Sequence, residues 1–142
     1  MANEEFQKLV IGQVPDQPFQ PLSIYDPDED TIEFLTSNES YRAERIDSLV
    51  TVYYGRESKE IIGSLIRGVS KFLKSLGKGS ANVRLEIRDD KIKLVHLFKA
   101  ALAHRSKSKK VTPTAVFVYE KLGQVAQEND LEANVAGLVM SS

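Results

Sequence analysis

The sequence predicts an α+β fold, with an N-terminal antiparallel β-meander and C-terminal helices packed on one face. Three observations carry that expectation. Residues 48–76 read as two β-branched and aromatic runs, Leu49–Tyr54 and Glu60–Val69, around the polar turn Gly55-Arg56-Glu57-Ser58-Lys59, which is a hairpin signal. Upstream of them, short apolar segments alternate with turn residues. Downstream, apolar positions recur at three- and four-residue steps, the spacing of one helix face.

The elements follow in order. Residues 1–14 hold one short apolar run, Leu9-Val10-Ile11, closed by Gly12. Pro15, Pro18 and Pro21 then favour an extended path, with Phe19 expected to pin the segment to the body. Leu22–Tyr25 and Thr31–Leu35 flank Asp26-Pro27-Asp28-Glu29-Asp30, where proline presets φ and aspartates bond nearby amides, so the three segments read as strand, turn and strand. A polar loop, Thr36–Ser40, leads to Tyr41–Ile46, and Asp47-Ser48 punctuates before the hairpin. Short loops between these runs demand antiparallel pairing, giving a meander of about four strands.

After the hairpin a short helix is expected, with Ser70 as N-cap, Val69, Phe72, Leu73 and Leu76 inward, and Gly77 at the C-terminus. Val83, Leu85 and Ile87 alternate with charged residues, predicting a strand over 83–88. Asp89-Asp90 then caps a helix from Lys91 to about His104, with Ile92, Val95, Phe98 and Leu102 as its stripe, broadened by Leu94, Leu97 and Ala101. The alternative is a turn at Asp89-Asp90 and a strand over Lys91–Val95. Thr112-Pro113 opens a helix over Pro113–Gln127, and Leu131, Val135 and Leu138 predict a last helical run over Leu131–Val139. The chain of 142 residues reads as one domain: residues 1–21 an arm, 22–69 the meander, 70–142 mainly helical.

Composition removes several chemistries. There is no cysteine, so disulfides, thiolate metal sites and thiol nucleophiles are out, and a reducing cytoplasm is the expected compartment. No apolar run approaches the roughly 18 residues of a membrane span. The N-terminus lacks the basic start and apolar core of a secretion signal. Asp26-Pro27-Asp28-Glu29-Asp30 begins like a calcium loop, but Thr31 stands where glycine is needed and Ser37 where a bidentate Glu belongs, so a hairpin turn is the simpler reading. Gly63 and Gly68 have P-loop spacing, yet Val69 replaces the phosphate-binding lysine. A glycine admitting a neighbouring backbone or ring explains Gly63 better. His96 and His104 stand eight residues apart, about 12 Å along a helix, too far to share a metal. His96, flanked by apolar residues, is expected to be a packed imidazole. No catalytic residue, metal site or cofactor is expected.

Charge is segregated behind a net value of −1. Residues 1–48 carry three basic against eleven acidic groups, residues 49–110 fifteen against five, and residues 111–142 one against four. Either the acidic N-terminal layer lies beside the basic middle, or the middle turns a basic face to an anionic partner. The candidate anion-binding set is Arg67, Lys71, Lys74 and Lys78, with Arg105, Lys107, Lys109 and Lys110. Lys71, Lys74 and Lys78 share a helical face. A helix-turn-helix formed by Pro113–Gln127 and Leu131–Val139 would meet DNA with Asp130 and Glu132, which phosphate repels.

At Tyr25-Asp26, Asp30-Thr31-Ile32-Glu33-Phe34 and Ile61-Ile62-Gly63-Ser64-Leu65-Ile66 the chain resembles small uncharacterised bacterial β-meander domains of unknown function. In these a Y-D-x-x-x-D-T turn opens a meander and an I-G-x-x-I strand closes it. The resemblance covers residues 22–69, about a third of the chain. It implies a bacterial source and supports the meander, and it carries over no activity or functional residue.

Three functions stay open at this level. The leading one is a non-enzymatic cytoplasmic protein-interaction or regulatory domain, a homodimer through its sheet edges and apolar helices. The second is an anion-binding module for nucleic acid or a phosphorylated ligand. The third is an enzyme centred on His96, which requires a concave pocket reaching that imidazole.

Overall fold

The computed structural model describes residues 19–79, 89–106 and 111–136, and the side chains of all of these except 77–79. Strands β1 (Leu22–Asp26), β2 (Thr31–Leu35), β3 (Tyr41–Arg45), β4 (Val50–Gly55) and β5 (Ile61–Arg67) form one antiparallel sheet of order β1-β2-β5-β4-β3. Helix α1 (Val69–Gly79) follows, then β6 (Lys91–Lys93), α2 (Leu94–Ser106), α3 (Pro113–Glu128) and β7 (Glu132–Asn134). The fold class is α+β as expected. Sequential neighbours pair in β1–β2, β3–β4 and β4–β5, while β2 takes β5 as its second neighbour. The central hairpin is therefore also the seam that joins the two halves of the sheet.

Period-two alternation divides the sheet into two faces. Ile32, Phe34, Val50, Val52 and Ile66 point to the helical side, where they share one core with Phe72, Leu76, Leu97, Phe98, Val118 and Leu122. Phe34 meets Phe98 edge-on at 6.0 Å between ring centres. Leu35, Tyr53, Ile62 and Leu65 make a second cluster on the opposite face, and Phe19 packs against it, the pinning role expected of that residue. Glu33 is buried on that face and accepts a hydrogen bond from the Tyr53 hydroxyl. Gly63 sits opposite both Leu35 and Tyr53, and an added Cβ would lie 2.4 Å from the Phe34 carbonyl oxygen. Close backbone approach, not phosphate binding, accounts for that glycine.

Helix α1 is capped from a distance. Gly68, at φ +63°, turns the chain out of β5. Asp30, in the β1–β2 turn, then accepts from the Ser70 amide at 3.0 and 3.1 Å and from the Ser70 hydroxyl at 2.7 Å. The Asp30 carbonyl takes the Val69 amide at 3.1 Å. Ser70 therefore lies inside the helix, and the cap is Asp30. Since α1 has no acidic residue in its first turn, the borrowed carboxylate also supplies the charge its dipole favours there. The helix continues through Gly77 to Gly79.

Two expectations beyond α1 are corrected. Asp89 and Asp90 both have positive φ (52° and 62°) and form a turn, so α2 begins at Leu94 instead of Lys91. Lys91–Lys93 is a strand, with buried Ile92 between two exposed lysines, and it pairs with Glu132–Asn134. Leu131–Val139 is accordingly not a helix where it is described. Leu131, Ala133 and Val135 are buried and alternate with exposed Glu132 and Asn134. A spacing of four between Leu131 and Val135 fits either period, and Ala133, small enough to go uncounted, decides it. Helix α3 starts as expected, with Thr112 Oγ1 accepting the Ala115 amide at 3.1 Å. Leu9–Ile11, Pro15, Pro18, the strand expected over 83–88 and Leu138 lie outside the described residues.

Asp30→Ala removes a cap and places a β-carbon residue without local side-chain bonding at φ 55°. It should lower stability by about 2 kcal/mol, and Asp30→Asn, which keeps the left-handed tolerance, by about half that. Urea unfolding followed by circular dichroism reads both; an unchanged midpoint for Asp30→Ala would remove the cap from the account.

Candidate functional site

Where β5 turns into α1, the surface forms an open cavity of about 550 Å³. Ser48 and Leu49 enter it from the β3–β4 turn, Arg67 and Gly68 from the end of β5, Lys71, Phe72 and Ser75 from α1, and His104 and Arg105 from the end of α2. Its polar character follows from the amphipathic phase of α1. Phe72, Leu73 and Leu76 face the core, so Lys71 and Ser75, one turn apart, look toward the opening. None of these lining residues is acidic, and three carry permanent positive charge.

Asp47 builds the wall that holds Arg105. Its Oδ1 accepts the amides of Leu49 and Val50, both at 2.8 Å, which closes the β3–β4 turn. Its Oδ2 accepts the Tyr119 hydroxyl at 2.7 Å and lies 3.2 Å from Arg105 Nε. Arg105 Nη2 donates to Ser48 Oγ at 3.1 Å. The guanidinium is thus held in one place by Asp47 and Ser48. His104, next along α2, meets the Phe72 ring edge-on at 5.9 Å. Burial, then the hydrogen bond to Asp47, pushes the Tyr119 phenol well above its ordinary range.

The structure sorts the candidate cations. Arg67, Lys71 and Arg105 come together around the cavity. Arg67 contributes mainly wall, because its Nη1 donates to Thr51 Oγ1 at 2.6 Å on the sheet. Lys74 is half-buried on α1 and does not line the cavity. The Lys78 side chain and Lys107, Lys109 and Lys110 lie outside the described residues. His96 is exposed, contrary to the packed imidazole expected: with α2 starting at Leu94, the inward stripe is Leu94, Leu97, Phe98 and Ala101, and His96 falls on the outer side. It lines neither this cavity nor two smaller ones of about 340 and 230 Å³, so the pocket that a His96-centred enzyme requires is absent from all three. The helix-turn-helix reading ends as well, since β7 stands where its second helix was expected.

Two residues that build the site, His104 and Asp47, were outside the anion-binding set expected from the sequence. His104 had a detectable signal, standing beside Arg105 at the C-terminal end of a helical pattern. Asp47 offered only its place before a strand, where an aspartate commonly closes a turn. No protein-family model, curated protein or solved structure matches this sequence. No described helix is long and apolar enough to cross a membrane.

Two outcomes follow from Asp47 and the buried phenols. Asp47→Ala should cost about 2–3 kcal/mol, because it opens the turn and strands both Tyr119 and Arg105, whereas Tyr119→Phe should cost about 1 kcal/mol; equal midpoints in urea would contradict this. Tyr25, Tyr53 and Tyr119 are all held protonated in the fold, by burial first and then by Asp30, Glu33 and Asp47 respectively. Their folded values lie above the unfolded one of about 10, so above that pH only the unfolded chain releases these protons, and stability falls as pH rises. For the two most buried, Tyr53 and Tyr119, the slope should be about 1.4 kcal/mol per pH unit each. Unfolding midpoints between neutrality and pH 11 check it; a flat profile above pH 10 would contradict it.

Proposed function

We propose that this protein is a non-catalytic, cytoplasmic binding module that holds a small phosphorylated molecule in the basic cavity. The observation that carries the reading is the convergence of Lys71, His104 and Arg105, from two helices, on one concavity whose described lining has no carboxylate. A volume of about 550 Å³ is the size of a small-molecule site. A preset guanidinium suits the paired oxygens of a phosphoryl group, and a lysine adds a mobile point charge. Ser48 and Ser75 supply hydroxyls at the rim, while Leu49 and Phe72 give an apolar floor against which a ligand body can rest. The amides at the start of α1 are not the anion site, because Asp30 already occupies them.

A concave site favours a compact ligand over nucleic acid, which needs cations held in a row along a strand. The acidic start of β7 beside α3 adds nothing that phosphate would meet.

Thermal shift and calorimetric titrations with inorganic phosphate, pyrophosphate and a nucleoside triphosphate, at low and physiological salt, test the proposal. Saturable stabilisation by at least one of them is expected. Lys71→Ala, an exposed position, should weaken it about tenfold without moving the unliganded midpoint. The absence of any shift at millimolar ligand and low salt would overturn the reading. So would an equal response from Lys71→Ala, or salt-sensitive retention on DNA without any response to pyrophosphate.

A further inference from the structure

Among the described residues that line the basic cavity, the side chains are chiefly hydrogen-bond donors. Arg67, Lys71 and Arg105 can only donate, and His104 carries at least one N–H in any protonation state. Ser48 Oγ already accepts from Arg105 Nη2 at 3.1 Å, and its hydroxyl keeps a proton to give. Two backbone acceptors of the lining are engaged within the fold: the Gly68 carbonyl takes the Phe72 amide at 3.0 Å, and the Leu49 carbonyl takes the Arg67 amide at 2.7 Å. Ser75 is the exception, since its hydroxyl gives its proton to the Phe72 carbonyl at 2.6 Å and has only lone pairs left to offer.

A donor lining separates phosphorylated molecules by what else they carry. Adenine, guanine and cytosine all present amino groups, so a protein that reads a base needs acceptors. Ribose hydroxyls are commonly held by a carboxylate, and the described lining has none. Asp47, behind Arg105, already serves the Leu49 and Val50 amides, Tyr119 and Arg105. Leu49 and Phe72 keep only 6% and 7% of their surface exposed, so they close the floor without presenting a face on which a base could stack. A phosphoryl chain has acceptors along its whole length and no donor to leave unpaired.

Charge and size favour more than one phosphoryl group. Arg67 comes from the end of β5, Lys71 from α1 and Arg105 from the end of α2, so the permanent charges approach from separate walls. A single phosphoryl group fills a small part of about 550 Å³ and brings about −1.5 to −2 charges near neutrality. Two or three in a row fill more of the space and offer each wall its own oxygens. Resting on the reading of this cavity as an anion site, we infer that its ligand class is the oligophosphate chain: two or more linked phosphoryl groups, recognised by charge and acceptor oxygens, with the attached base or sugar left unread.

Calorimetric titrations of the full chain, in magnesium-free buffer at fixed ionic strength, test it with AMP, ATP, CTP and inorganic tripolyphosphate. Tripolyphosphate and ATP should each bind at least about tenfold more tightly than AMP, while ATP and CTP agree within about threefold. In Lys71→Ala the advantage of ATP over AMP should shrink, because one wall has lost its charge. An ATP advantage below tenfold would overturn the inference and leave the anion site standing. A wider gap between ATP and CTP, or tripolyphosphate failing where ATP binds, would do the same, for the nucleoside would then be read. An ATP advantage unchanged in Lys71→Ala would place the chain elsewhere and overturn it too. No binding of any of the four, by calorimetry or thermal shift, would remove the anion site and this inference together.

Discussion

The first amides of an α-helix have no partner within the helix, and in α1 the missing acceptor comes from Asp30, forty residues earlier in the chain. That bond ties the β1–β2 turn to the start of the helix lining the cavity. Tyr25, on β1, donates to the same carboxylate at 2.9 Å, so sheet and helix share one acceptor. With Gly68 turning the chain and Asp30 fixing the entry angle, Phe72 and Leu76 fall into the core, and Lys71 and Ser75 are left at the opening. Asp47 does the equivalent work at the opposite wall, where one carboxylate closes a turn, meets a buried phenol and aligns Arg105. The cavity is therefore held by two aspartates that never line it.

The first reading of the charge segregation is the one these contacts bear on. The acidic N-terminal part does lie against the basic middle, through Asp47 with Arg105 and Asp30 with the amino end of α1. Those contacts are few and directional, and they leave Lys71 exposed.

Residues whose neighbours in sequence are also their neighbours in space were legible. The β4–β5 hairpin, the Thr112 cap of α3 and the tight fit at Gly63 all came through local rules. What failed had a distant cause. Ser70 looks like a cap because its true cap, Asp30, is invisible to a local window. The three-residue strands β6 and β7 are too short to show a period, and each is stabilised mainly by the other and by the burial of Ile92 and Ala133. Missing β6 misplaced the start of α2, and the apolar residues either side of His96 suggested a packed imidazole although its side chain is exposed, while His104 lines the cavity. At the site, the sequence offered eight cations without distinguishing them. The fold selects Lys71 and Arg105, turns Arg67 toward Thr51, and adds a histidine that no charge count includes.

The central claim is that the converging cations hold an anion. Backbone amide chemical shifts recorded by NMR during a pyrophosphate titration test it most directly, because they locate binding residue by residue. The account predicts saturable shifts confined to Ser48–Leu49, Gly68–Ser75 and His104–Arg105, reached together along one binding curve. Shifts spread over the surface in proportion to ionic strength, or centred on α3, would contradict it.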